Sequence, residues 1–160
     1  MNNEILQEFT FYDYSEIEIS FSIKTKEIDL NTLTDFLKLK PTRGWSNGEK
    51  FLSKRLNPET KEIETIERQK PWTMFVYETN GLVNSKRFID HADHLLSKLD
   101  PIKDNLKDLL GQPDKFEIFI QVYLKFDSDQ DYFGFSSDTT TLKKLADYCQ
   151  LIEWRNKGQK

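Results

Sequence analysis

Between Phe116 and Phe126 every second residue is apolar: Phe116, Ile118, Ile120, Val122, Leu124 and Phe126 alternate with Glu117, Phe119, Gln121, Tyr123 and Lys125. Successive side chains of a strand point to opposite faces, so this spacing predicts one long strand whose dry face needs a covering layer of helices. Residues 16–24 repeat the pattern, with Ile17, Ile19, Phe21 and Ile23 set against Glu16, Glu18, Ser20, Ser22 and Lys24. A third strand is expected from Trp72 to Thr79, where β-forming residues end at Asn80-Gly81. After the long strand, a polar turn over 127–131 and a return strand over 132–135 read as a hairpin, and Gln150 to Trp154 reads as a final strand.

Helical spacing fills the intervals. Asp29 is the expected N-cap of a helix carrying Leu30, Leu33, Phe36 and Leu37, which Pro41 stops by disfavouring helical backbone at Lys40. Ser85 opens a second helix with Phe88, Ala92, Leu95, Leu96 and Leu99 on one side. Asp100-Pro101 restarts a third, through Ile102, Leu106, Leu109 and Leu110, that Gly111 and Pro113 end. Asp138 caps a last helix containing Leu142, Leu145 and Ala146. Residues 42–70 lose both periods and read as a long loop with at most one short strand; such loops are commonly functional or mobile. The order β-α-loop-β-α-α-ββ-α-β predicts an α+β two-layer sandwich. Its mainly antiparallel sheet has about five strands, with helices on one face, in a ferredoxin-like arrangement with an extra hairpin.

Composition narrows the classes. A chain of 160 residues that is 37% hydrophobic is expected to form a single domain, 1–160, with its core within 16–154. A formal charge of -4 and an isoelectric point near 5.3 argue against a nucleic-acid binder, which ordinarily carries a basic stripe. Met1 to Tyr14 lacks a basic region followed by an apolar run, and nothing reaches the roughly 18 apolar residues of a membrane span, so a cytoplasmic protein without membrane contact is expected. The single cysteine, Cys149, permits neither an internal disulfide nor a site built from several thiols.

The run Leu39-Lys40-Pro41-Thr42-Arg43-Gly44-Trp45-Ser46-Asn47-Gly48-Glu49 resembles the signature after the first helix in domain of unknown function family 4279, a family of uncharacterised bacterial domains. Three further blocks match in order: Pro71-Trp72; His91 with Leu95, Leu96, Leu99 and Pro101; and Gly134-Phe135-Ser136 leading to Leu142, Leu145 and Ala146. The resemblance covers roughly Glu16 to Trp154. It implies a fold and a bacterial origin, and carries no established activity.

Three groups of residues are candidates for chemistry. His91 and His94 share a helix side and could join a carboxylate around a divalent metal, although two nitrogens fall short of a tetrahedral set; the alternative is a solvated helix flank. Asp127, Asp129 and Asp131 imitate the first carboxylates of a calcium loop, but Tyr132 stands where that loop needs glycine and Asp138 where it needs glutamate, which favours a charged turn. Arg43, Trp45, Asn47 and Glu49, with Trp72, could anchor a partner or an anion; the alternative is that Trp45 enters the core and Arg43 pairs with a local carboxylate. Phe119 and Tyr123, with Phe75 and Tyr77 as neighbours, are expected on a sheet face the helices leave uncovered, as a homodimer or partner surface. The expected function is therefore a non-enzymatic protein-binding domain without a cofactor, comparable to an immunity protein. The alternative is a small-molecule or metal-dependent enzyme with its site near the signature loop and His91.

Overall fold

The structure is a computed structural model, and the residues it describes are 14–126, 137 and 139–157. Its main sheet is built on the two patterned strands, β1 (Tyr14–Thr25) and a long partner later in the chain. Helix α1 (Leu30–Leu37) follows β1, then strand β2 (Arg43–Trp45), strands β3 (Lys50–Leu56) and β4 (Ile63–Gln69), and strand β5 (Thr73–Glu78). Helix α2 (Phe88–Leu99) leads through the 3₁₀ turn Asp100–Ile102 into α3 (Lys103–Leu110). The long strand β6 (Phe116–Phe126), helix α4 (Thr139–Ala146) and strand β7 (Leu151–Asn156) complete it.

The order β2-β5-β1-β6-β7 makes a five-stranded sheet, and β3 pairs only with β4 in a second, two-stranded sheet. All pairs are antiparallel except β6 with β7, which the α4 crossover makes parallel. The fold is thus α+β with a mostly antiparallel sheet. Strand β1 lies between β5 and β6, the split β-α-β arrangement of ferredoxin-like folds. The extra hairpin is β3-β4; the one expected after Phe126 lies outside the described residues.

Pairing of Phe21 with Ile120 and of Ile23 with Ile118 puts the apolar positions of β1 and β6 on one face. Leu33, Leu37, Leu95, Leu99, Leu106 and Leu145 close over it from the four helices. Asp29 caps α1, its carboxylate accepting from Thr32 N–H at 2.8 Å. That helix ends three residues before Lys40, because Lys38 turns into the left-handed region at φ 57°. Its stop is therefore set before Pro41 exerts any influence. Ser85 precedes α2 by three residues, and Asp100 accepts a hydrogen bond from the Tyr148 hydroxyl in place of capping α3. The region 42–70, expected as loop, holds three strands.

Ile120 is fully buried where β1, β6 and the helix layer meet. Ile120→Asp buries a carboxylate with no partner, and the expected loss is about 4 kcal/mol or more. Urea denaturation measures it; an unchanged midpoint would show that this register is wrong.

Candidate functional site

The signature residues form a tight turn that ties three elements together. Gly44 faces α1: an added Cβ would sit 2.5 Å from the Met74 carbonyl oxygen and 2.9 Å from the Leu30 side chain, so only glycine lets β2 approach β5 here. Alternation then sends Arg43 and Trp45 to the sheet face away from the helices. Arg43 Nε donates to both Glu78 carboxylate oxygens at 3.2 Å. Ser46 Oγ accepts from Leu30 N–H at 3.1 Å, and Ser46 N–H donates to Glu49 Oε2 at 3.0 Å. Asn47 N–H donates to Thr73 Oγ1 at 3.0 Å, while Gly48, at φ 79°, donates to the Lys70 carbonyl at 2.8 Å. The Lys70 ammonium lies 4.3 Å from the Trp45 ring centre and 4.2 Å from that of Phe51. Arg43, Trp45, Asn47 and Glu49 are thus brought together as the root of the β3-β4 hairpin.

That hairpin, the arm, forms a two-stranded sheet of its own, paired with no strand of the main sheet among the described residues. Pairing of Leu52 with Glu67 and of Leu56 with Ile63 gives it one face of Lys50, Leu52, Lys54 and Leu56 beside Ile63, Thr65 and Glu67. On this face Leu52 is 73% exposed, Ile63 71% and Leu56 59%. Phe51 and Ile66, on the other face, are partly covered. Sequence reasoning missed this stripe, although Asn57-Pro58 between two short runs and the β-branched sequence Ile63, Thr65, Ile66 are hairpin signals.

The main sheet's second face differs from expectation. Phe75 and Tyr77 are buried on the helix side, because they pair with Ile23 and Phe21 and must share their face. Phe119 and Tyr123 do lie on the second face, half-buried, among polar groups. Tyr123 donates to Gln121 Oε1 at 2.6 Å, and Gln121 Nε2 donates to Glu153 at 2.7 Å. The Gln121 amide beside Glu153 holds that carboxyl below its usual range, with Arg155 helping. Ser20 Oγ is buried without a hydrogen-bond partner. Glu18 is buried and accepts from Lys157 Nζ at 3.0 Å. Trp72 is separate from the signature turn's contacts: Lys24 covers its ring at 4.4 Å, beside a depression of about 340 Å³ shared with Lys115 and Glu117.

The histidines belong to the helix side. His91 is buried, its ring nitrogens bonded to Thr79 Oγ1 at 2.7 Å and to the Ser85 carbonyl at 2.8 Å, so it fastens the 79–85 turn to α2. His94 meets the Tyr77 hydroxyl at 3.1 Å, and burial, then Lys98 and His91, lower its pKa. His91 and the side chains of Arg43 and Trp45 therefore lie on opposite faces of the sheet and do not converge. No group of three or more metal-ligating side chains occurs among the described residues. Asp127, Asp129 and Asp131 lie outside them. Burial pushes the Cys149 thiol up to about 11, which keeps it protonated at neutral pH.

Glu18 sits above its ordinary 4.5 because burial disfavours its charge; Lys157 opposes this, and a hydrogen bond with Glu78 adds to it. Lys157 is itself raised, chiefly by the Glu18 hydrogen bond, so the pair attracts, but Glu18 is the buried member and sets the sign. The folded state thus holds this proton more tightly than the unfolded chain. Its contribution is complete below the ordinary 4.5 and is lost as pH climbs through the raised value. Glu18→Gln retains an acceptor for Lys157 without the charge. The variant is expected to melt above the parent at about pH 8, the gap closing toward about pH 4.5; a parent that melts higher at pH 8 would mean that Lys157 outweighs burial.

No curated protein and no solved structure matches the chain. One family model does, over residues 15–155, which takes in β1, the signature turn, the arm and nearly all of β7. The chain therefore belongs to the domain of unknown function family DUF4279.

Proposed function

We propose that the chain is a protein-binding domain with no catalytic chemistry of its own, acting in a bacterial cytoplasm in the manner of an immunity protein, and that the arm is its contact surface. The observation that carries this reading is the exposure of Leu52, Leu56 and Ile63 on one face of a two-stranded sheet, with Leu56 paired to Ile63 and Lys54 between Leu52 and Leu56. Exposed apolar residues scattered singly need no explanation, whereas three on one face of a two-stranded sheet, two of them directly paired, support a contact site. Arg43, Trp45, Asn47 and Glu49 then act as the mount that sets the arm's direction. Phe119 and Tyr123 on the second sheet face supply a further contact area, for a partner or for a second copy. Support against chemistry at the helix side comes from the groups a reaction would use: His91 is held at both nitrogens, and the Cys149 thiol is raised.

The arm reading is tested with the full chain immobilised, in parent form and as Leu52→Asp/Ile63→Asp. Both positions are exposed, so the melting temperature is expected to stay within a few degrees. Proteins retained by the parent, identified by mass spectrometry, are expected to bind the variant at least tenfold more weakly, about 1.4 kcal/mol. Equal retention by both forms would refute the arm as the contact surface.

A further inference from the structure

Building on the arm as contact surface, we propose that the outer edge of β3 accepts an acidic, extended segment of a partner protein as a third strand. Among the described residues β3 has β4 as its only strand partner, and alternate backbone N–H and C=O groups along its other side make no strand hydrogen bonds. The edge is basic. Lys50, Lys54 and Arg55 all belong to β3, in a chain whose formal charge is -4. Lys50 is paired with Glu67 at 3.0 Å, but Lys54 and Arg55 are exposed and form no ion pair among the described residues. Arg55 stands opposite Glu64, whose carboxylate accepts from Asn57 Nδ2 at 2.6 Å instead.

An added strand would place its side chains beside those of β3, alternating between the two faces. On the face of Leu52 and Leu56 it meets Lys54 between two apolar neighbours, and on the other face it meets Arg55. A segment with two successive carboxylates between β-branched residues matches both, because successive side chains point to opposite faces and opposite charges and apolar pairs on adjacent strands are favourable. Basic residues on a sheet edge also have a blander use, repelling edge-to-edge association. The two uses separate on one point: either makes the edge prefer an acidic peptide to a basic one, but only a docking edge also holds it through strand hydrogen bonds.

The probes are two capped peptides that set a Glu-Glu or a Lys-Lys pair between valine and threonine residues, with a third that is the acidic peptide N-methylated at every second residue, made in both phases. Binding to the full chain is read by fluorescence anisotropy. The parent is expected to bind the acidic peptide at least tenfold tighter than the basic one, and Lys54→Glu/Arg55→Glu to reverse that order. One N-methylated phase is expected to lose binding, because it blocks the hydrogen bonds to the edge. Equal affinity for both peptides, or a preference unmoved by the charge reversal, would overturn the proposal. Binding of both methylated phases as tightly as the parent peptide would also overturn it and leave the basic residues as guards. Sedimentation of the parent alone adds one further outcome: a dimer that the charge reversal dissociates would assign the edge to a second copy and overturn it. Protein capture lost with Leu52→Asp/Ile63→Asp would still stand if the peptides failed, so the two readings fail separately.

Discussion

The register of β1 against β6 is the constraint on which everything else rests. Side chains alternate with a period of two, so a slip of one residue would carry every apolar side chain of one strand to the opposite face. In the register adopted, Ile17, Ile19, Phe21 and Ile23 stand with Ile118, Ile120, Val122 and Leu124 under the helices. The same pairing collects Glu18, Ser20, Ser22, Gln121 and Tyr123 on the other face. One alternation thus makes two surfaces of different chemistry: a hydrocarbon core, and a polar network in which Gln121 bridges Tyr123 and Glu153.

From this centre the sheet grows in two ways. On one side α4 returns the chain parallel to β6, and β7 adds Ile152 to the core and Glu153 to the polar face. On the other side β5 carries the short β2, which approaches α1 at Gly44 and is followed by the turn at Asn47-Gly48. The arm begins there. Its direction follows from the hydrogen bonds of Asn47, Gly48 and Lys70 and from the Lys70 ammonium held between two rings. The signature residues therefore make the contacts that fix the base of the arm.

What the sequence made legible was wherever one face is dry. β1, β6, the Asp29 cap and the leucines of α2 and α3 are all dictated by contact with a core, and their periods are clean. β5 is harder, because Phe75, Val76 and Tyr77 are all buried, and an apolar run carries no alternation to say which side faces the helices. The arm was illegible for the opposite reason: its apolar residues are mixed with charges on both faces, since no core selects between them. The end of α1 depends on Lys38 adopting a conformation favoured by glycine and asparagine, which no propensity argument would assign to lysine.

The arm is the part of the molecule least explained by its own stability. A hairpin on its own is marginal in water, and this one leaves Leu52, Leu56 and Ile63 to solvent. It is held at its base by main-chain bonds between Gly48, Glu49 and Lys70 and by the Trp45 and Phe51 rings beside Lys70, while Ser53 and Ile66 are partly covered on its other face. An element stabilised from its root can keep a fixed direction while, among the described residues, Leu52, Leu56 and Ile63 stay exposed and its edge stays unpaired. That division of labour, with order supplied at one end and contact area left free at the other, is what a binding element needs and what a buried hairpin could not provide.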